Sequence, residues 1–300
     1  MAAHRPPTID PVAAARWQQR PQSTSAWLHE EVARRMEQRL DWLVRQPRSW
    51  LHWEPVRGGL QGQALLARRY PAARALVHAG VDSERALALR QLTPRWWQPA
   101  RWRDAWRRRP DTVPAELLWA NMSLHQAADP EALIRQWHAA LAVDGFLMFS
   151  CLGPDTLREL RALYQALGWP APAHEYTDMH DWGDMLVAAG FAEPVMDMER
   201  IELTFETPER LLQELRELGR NLHPARFAGL RGRGWYARLQ QALGGLADPA
   251  RQGRLTLSFE IIYGHAFRPP ARLPVGPETR FSLEEMRSSL TKNKLRPAGD

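Results

Sequence analysis

Short apolar segments alternate with amphipathic stretches along most of this chain. Apolar runs at 50–53, 75–81, 116–121 and 146–150 are each followed by a stretch in which apolar residues recur at helical spacing. This alternation favours parallel strands, because each crossover helix has to pass over a face of the sheet. Residues 255–264 alternate apolar and polar side chains, which predicts an antiparallel final strand. We therefore expect an α/β fold, a doubly wound and mostly parallel sheet with an antiparallel final strand and added helices.

The chain divides by composition into three parts. Residues 1–45 combine a proline-rich segment with one amphipathic stretch, so we expect an extended arm over 1–25 and then a helix. Residues 46–268 carry the alternation, with a helical insertion or lid at about 206–250. From 269 to 300 proline and charge increase, which predicts a mobile tail.

Composition excludes several classes of protein. Hydrophobic residues make up 44% and charged residues 25% of the 300, which is ordinary for a globular chain. The net charge of +6 is carried almost wholly by arginine, since only Lys292 and Lys294 are lysines. Arginine in place of lysine suggests a coding bias, so we expect no nucleic-acid partner, although a cationic face could attract an acidic one. Cys151 stands alone, so we expect no disulfide framework and no metal site. Without a signal-like or membrane-spanning run, the simplest expectation is a cytoplasmic monomer.

Polar segments follow three of the predicted strands. The turn 54–59, Asp82 and Asn121 each come directly after an apolar run. In a doubly wound sheet, ligands bind beyond the carboxyl ends of the strands, so these segments should share one rim. An acidic residue after the second strand suits ribose hydroxyls. Asp82 with Ser83 is equally well explained as an ordinary helix-capping turn.

The turn 54–59 is unusual for a nucleotide-binding loop. It has only two glycines, Gly58 and Gly59, and both come late. Pro55 also removes one backbone amide donor. The turn therefore matches neither the spaced-glycine dinucleotide fingerprint nor the phosphate-binding loop.

Two further clusters of titratable residues stand out. His180 follows Asp178, which could cap the next helix, while His180 itself could lie near a substrate carboxylate. Basic residues gather around Asn221 and could bind an acidic group or form a solvated face: Arg216, Arg220, His223 and Arg226. The stretch 93–114 is rich in Trp and Arg, a pattern found at core edges and where planar ligands stack, and it is a candidate lid.

Several blocks resemble a known family. The chain is similar to BioC, the malonyl-acyl-carrier-protein O-methyltransferases of biotin synthesis, and to related methyltransferase-fold assembly factors of respiratory complex I. The resemblance covers roughly residues 10–268 and is most specific between 116 and 205. Its blocks are Leu117 to Asn121 with Leu124-His125-Gln126, Gly145 to Ser150, Gly153 to Arg161, and Met179 to Phe191 with Pro194 to Glu199.

The resemblance implies the fold of a class I S-adenosylmethionine (SAM) methyltransferase and transfer of a methyl group to the free carboxylate of a malonyl thioester. SAM is then the expected cofactor and a malonyl acyl-carrier protein the expected partner. No residue is assigned a catalytic role. The expected cofactor-binding residues are Glu54, Gly58, Gly59, Asp82 and Asn121, and the expected substrate-binding residues are Trp17, His125, His180 and Arg220.

The chain departs from the family in two places. Where the family has an acidic residue and then spaced glycines, this chain has His52 and then the turn 54–59. Where the family has an aromatic pair ending in Tyr, Trp17 matches the first aromatic, and the Tyr position falls near Gln22. The alternatives are a catalytically silent binding or assembly protein and a protein side-chain methyltransferase.

Overall fold

One sheet organises the residues that the structure describes, which are 9–92, 114–227 and 229–270 of a computed structural model. The Trp- and Arg-rich candidate lid up to residue 113 and the expected tail from 271 onward lie outside these residues. The strands are β1 (Ser49–Trp53), β2 (Arg74–His78), β3 (Ala115–Ala120), β4 (Leu141–Leu152), β5 (Ala192–Phe205), β6 (Ala247–Asp248) and β7 (Arg254–Phe267).

The strands follow the order β2-β1-β3-β4-β7-β5, with β6 paired to β7. β1 is parallel to both β2 and β3, and β3 is parallel to β4. β7 lies antiparallel between β4 and β5. The chain forms β1 inside the sheet, continues outward to β2 and then returns to the other side of β1 for β3. The carboxyl ends of these three parallel strands therefore lie at one edge. The predicted mostly parallel sheet with an antiparallel final strand is confirmed.

Helices connect the strands where the sequence predicts them. Several begin at a residue whose side chain accepts a hydrogen bond from the first turn, as Asp129, Asp178 and Thr207 do. The helices are α1 (Pro11–Gln19), α2 (Trp27–Arg39), α3 (Pro55–Gly58), α4 (Gly62–Arg69), α5 (Asp82–Leu92), α6 (Pro130–Ala140), α7 (Arg158–Ala166), α8 (Met179–Ala188), α9 (Pro208–Leu218) and α10 (Arg233–Gly244).

The extended arm expected over residues 1–25 is wrong for α1. Asp10 caps this helix, accepting hydrogen bonds from the amides of Val12 and Ala13. Pro11 occupies the first helical position, where its missing amide costs nothing and its fixed φ suits the helix. Prolines predict extended chain over these residues, although Pro11 starts a helix.

The core lies on both faces of the sheet, because successive strand residues point to opposite sides. Trp50 and Leu117 pack on one face, with Met36 of α2. Leu51 and Leu118 pack on the other, where α6 lies. Among the described residues, no helix is long and apolar enough to cross a membrane.

Candidate functional site

A cavity of about 930 Å³ opens at the carboxyl ends of β1, β2 and β3. This is the edge at which doubly wound sheets bind their ligands. Its floor comes from the residues that end the strands, and α1 forms its outer wall. The lining includes Trp17, His29, Trp53, Glu54, Arg57, His78, Gly80, Asp82, Ser83, Met122, Ser123 and Gln126.

Arg57 attaches α1 to the body of the protein. Its guanidinium donates to the backbone carbonyls of Trp17, Gln18 and Arg20, at distances of 2.7–3.2 Å. These carbonyls lie at the end of α1, where backbone oxygens lack helical partners and the helix dipole is negative. A cation at this point therefore stabilises the helix end and keeps α1 over the cavity.

The same guanidinium pairs with a buried carboxylate. Arg57 donates to both oxygens of Glu84, at 2.9 and 3.0 Å, and the Glu84 side chain is fully buried. The backbone amide of Gln22 donates to the same carboxylate at 2.9 Å. Charge and hydrogen-bonding capacity of Glu84 are thus satisfied without water, so the loop after β1, α5 and the segment after α1 form one unit.

The two glycines of the loop each have a structural requirement. Gly59 has φ +111°, a backbone conformation that side chains oppose. A Cβ atom on Gly58 would lie 2.4 Å from the backbone oxygen of Asn121. Close approach of the loop to the end of β3 therefore needs glycine at 58.

Most amide donors of this loop are used within the protein. The amides of Arg57 and Gly58 donate to the carbonyl of Glu54. Just after the loop, the amide of Leu60 donates to the Ser25 side chain and that of Gln61 to the Glu30 side chain. A spaced-glycine loop offers several amides to its ligand, and this loop has few left to offer.

The cavity wall carries hydrogen-bond acceptors instead. Glu54 accepts from the Gly80 amide through Oε1 at 2.8 Å, while its buried Oε2 has no hydrogen-bond partner among the described residues. Burial raises the pKa of this carboxyl. Glu54 has φ 50° and ψ 56°, so the side chain is placed by a left-handed backbone that favours glycine.

His29 adds a second acceptor. Its Nδ1 lies 2.6 Å from the carbonyl of Arg57, which can only accept, so Nδ1 carries the proton. Nε2 is therefore a lone pair, and it is buried with no partner within the described part of the chain. Burial lowers the His29 pKa to about 4, which keeps the ring neutral at pH 7.

These acceptors fit the group that the sequence predicts. SAM carries ribose hydroxyls, an ammonium and a sulfonium, which bring hydrogen-bond donors and positive charge, and one carboxylate, which has to lie away from this wall. Glu54 and Asp82 supply carboxylates to this wall, and both line the cavity. An anionic ligand group would be repelled at the same place.

The structure brings some of the predicted residues together and not others. Trp17, Glu54 and Asp82 all line the cavity. Arg220 lies outside the lining, with its guanidinium 5.1 Å from the centre of the Trp17 ring. His180 is apart from them, in the first turn of α8, where its exposed ring bonds to Asp178. Asp178 caps that helix, so capping explains this segment.

Asn121, Gly58 and Gly59 form the support behind the cavity. The buried Asn121 amide donates to the carbonyls of His29 and Gly58, and its oxygen accepts from Ser150. Every polar atom of this side chain is thereby used inside the protein. We therefore assign Asn121 the role of positioning the loop and His29. Gly58 and Gly59 belong to the loop backbone that Asn121 holds in place.

His125 is also buried, in the turn after β3. Its Nε2 faces the side-chain amide of Gln126 at 3.3 Å. The same Gln126 side chain accepts from the Trp17 indole at 2.7 Å, so its amide nitrogen faces His125. Gln126 therefore connects α1 to the turn that carries His125.

Sequence reasoning missed His29, Arg57, Glu84 and Gln126 as parts of the site. His29 has one recognisable signal, since it occupies the apolar face of α2 between Leu28 and Val32. The others have none, because their partners lie 27 to 109 residues away in sequence.

We expect the protein to lose stability steeply in acid. Burial lowers the pKa of His29 to about 4 and of His52 to about 3, from 6.5 in the unfolded chain. Below pH 6.5 the unfolded state binds protons that the folded state excludes, so each ring lowers the free energy of unfolding by about 1.4 kcal/mol per pH unit. Urea unfolding between pH 7 and pH 5 measures this slope. His52→Leu should reduce this slope by the contribution of one proton. An unchanged slope would contradict the lowered pKa of His52.

Comparison with known proteins identifies the family. No protein-family model matches the chain. It is 37% identical to the malonyl-acyl-carrier-protein O-methyltransferase of Laribacter hongkongensis, over 83% of this chain and 85% of that one. The proteins of the same name from Gallionella capsiferriformans and Nitrosospira multiformis are 36% and 34% identical, over 83% and 85% of this chain and 87% and 88% of theirs.

Similarity to solved structures is weaker. The YcgJ protein of Bacillus subtilis is 10% identical, with a TM-score of 0.47, over 80% of this chain and 99% of that one. The assignment therefore depends on the sequence relatives, which match along most of both chains. The chain belongs to the malonyl-acyl-carrier-protein O-methyltransferase family.

Proposed function

We propose that this protein transfers a methyl group from SAM to the free carboxylate of a malonyl thioester on an acyl-carrier protein, in biotin synthesis. The observation that carries the proposal is the cavity at the carboxyl ends of β1, β2 and β3, with acceptors where a cationic nucleoside would lie. Membership of the family supplies the substrate, since the relatives are named for it.

Three residues would hold the cofactor. Glu54 and Asp82 offer carboxylates to hydroxyl and ammonium groups, and His29 offers its Nε2 lone pair. When bound, SAM supplies an electrophilic methyl group on a positively charged sulfur. The chain's own contribution is to place these acceptors rigidly, through Asn121 beneath the loop and Arg57 beside it.

The methyl acceptor needs no general base. A carboxylate is already ionised at neutral pH, so the protein has to position it and exclude water. α1 serves the second purpose, because its Trp17 lines the cavity as a bulky apolar wall and is held in place by Gln126. The substrate carboxylate should approach from the side of Trp17 and Arg220, away from the carboxylates of Glu54 and Asp82.

Titration calorimetry with SAM tests the proposal directly. We expect micromolar binding, together with methyl transfer to malonyl acyl-carrier protein. No binding up to millimolar SAM would overturn the proposal and favour a silent binding protein. Binding of SAM without transfer to the malonyl substrate would overturn the substrate assignment.

Asp82→Ala should weaken SAM binding at least tenfold, which corresponds to about 1.4 kcal/mol. The reason is that Asp82 is an exposed carboxylate in the cavity lining, at the start of α5, where ribose hydroxyls could reach it. Calorimetry on the variant measures the change. An unchanged affinity would leave Asp82 with only a structural role at the start of α5.

That the enzyme is cytoplasmic and monomeric stays a prediction. Sedimentation analysis of the purified protein measures the oligomeric state.

A further inference from the structure

Three arginines beside the cavity lack an acidic partner. Arg20, Arg216 and Arg220 form no ion pair with any described carboxylate, in contrast to Arg57 and Arg226 nearby, which do. Arg20 follows α1, Arg216 lies in the last turn of α9, and Arg220 follows that helix. All three are exposed.

Contacts place Arg220 next to Trp17, and the other two arginines lie close to this pair along the backbone. The guanidinium of Arg220 lies over the Trp17 ring, and it donates to the carbonyls of Arg216 and Gly219 at 2.6 and 2.7 Å. Arg20 follows Trp17 by three residues, and its carbonyl is held at the end of α1 by Arg57. Burial, and then the charges of Arg20 and Arg216, lower the pKa of Arg220.

The nearby carboxylates do not neutralise this cluster. Asp10 pairs with Arg226 at 2.6 Å. Glu84 is buried against Arg57. The hydrogen bond that Glu217 accepts from the neutral Gln213 cancels no charge, so three arginines face this one carboxylate and the cluster stays net positive. A converging positive potential at the edge of a binding cavity attracts acidic partners and raises their rate of association.

We propose that Arg20, Arg216 and Arg220 form a docking surface for the acidic face of the acyl-carrier protein, beside Trp17, which lines the cavity. This inference rests on the proposed function. A carrier protein has to remain outside while its acyl group reaches the cavity, and the arginine cluster lies at the boundary between the two. An exposed guanidinium cluster suits a protein carboxylate surface, because its charges stay in water and act over a distance.

Steady-state kinetics with three substrates tests the surface. We expect Arg20→Glu and Arg216→Glu each to raise the KM for malonyl acyl-carrier protein at least tenfold, with kcat unchanged. The KM for malonyl-pantetheine and for malonyl-CoA should stay the same, because neither has a protein surface. Raising the salt concentration should increase the wild-type KM for the carrier protein only.

The control is Arg48→Ala, which removes an exposed arginine at the opposite edge of the sheet, where it pairs with Glu116. This variant should keep the wild-type KM. Unchanged KM values for Arg20→Glu and Arg216→Glu would overturn the docking surface while leaving the function intact. A rise in KM that malonyl-CoA shares would also overturn it, because the arginines would then bind phosphate groups and not a protein surface. If the wild-type protein methylates none of the three substrates, the proposed function is rejected instead.

Discussion

Replacing Arg57 with alanine is expected to lower the free energy of unfolding by about 3–5 kcal/mol, the usual cost of leaving one member of a buried ion pair alone. The carboxylate of Glu84 is fully buried and would lose its charge partner. Three carbonyls at the end of α1 would lose their donor in the same step. Urea unfolding measures the loss, and limited proteolysis after Gln19 should detect release of α1.

Two further variants separate the ion pair from general damage. Arg57→Ala with Glu84→Gln should be more stable than Arg57→Ala alone, because no buried charge is left unpaired. Arg48→Ala removes an exposed pair with Glu116, which water screens, so it should cost far less than Arg57→Ala. If Arg57→Ala is no worse than Arg48→Ala, the buried pair does not hold this part of the fold.

Gly58→Ala is expected to destabilise the protein by about 3 kcal/mol, at the upper end of what overpacking costs. The added methyl group would lie 2.4 Å from the backbone oxygen of Asn121, an atom that cannot rotate away. The loop or the end of β3 would have to shift, and His29 with it, because Asn121 bonds to both. SAM affinity should fall together with stability, and calorimetry on the variant measures this.

Gly234→Ala is the matched control, since Gly234 lies in α10 with nothing within 4 Å of the added atom. Alanine favours helices, so this change should stabilise by about 0.5–1 kcal/mol. Equal effects of the two changes would show that the close approach at Gly58 is not tight in solution.

The Arg57 and Gly58 predictions concern one loop, and together they explain its sequence. Arg57 and Glu54 stand where the resemblance predicts a glycine-rich segment. Arg57 attaches α1, and Glu54 turns a carboxylate toward the Gly80 amide. The loop therefore presents few amide donors. Instead it holds α1 in place and lines the cavity wall with hydrogen-bond acceptors. Such a wall suits a cationic cofactor.

Predictions from local pattern were confirmed where the pattern repeats. The strands around Leu117, Phe146 and Leu257 and the helices after Asp129 and Thr207 lie where periodicity and capping placed them. The prediction of an extended arm was wrong at α1, because proline occurs both at the start of helices and after their ends. Here only the Asp10 cap shows that a helix begins. The expected sites at Glu54, Asp82 and Trp17 lie together, while His180 does not.

By itself the sequence determined the α/β fold, the family and the edge of the sheet at which the site lies. These follow from periodicity and from residues close together in the chain, where each residue's preference is set by its neighbours. Only the tertiary structure decided what the loop 54–59 does. Arg57 reaches Glu84 across 27 residues and Trp17 across 40, and no local pattern records such pairs. Burial then decided the rest, because it leaves the His29 ring neutral with its Nε2 lone pair without a partner.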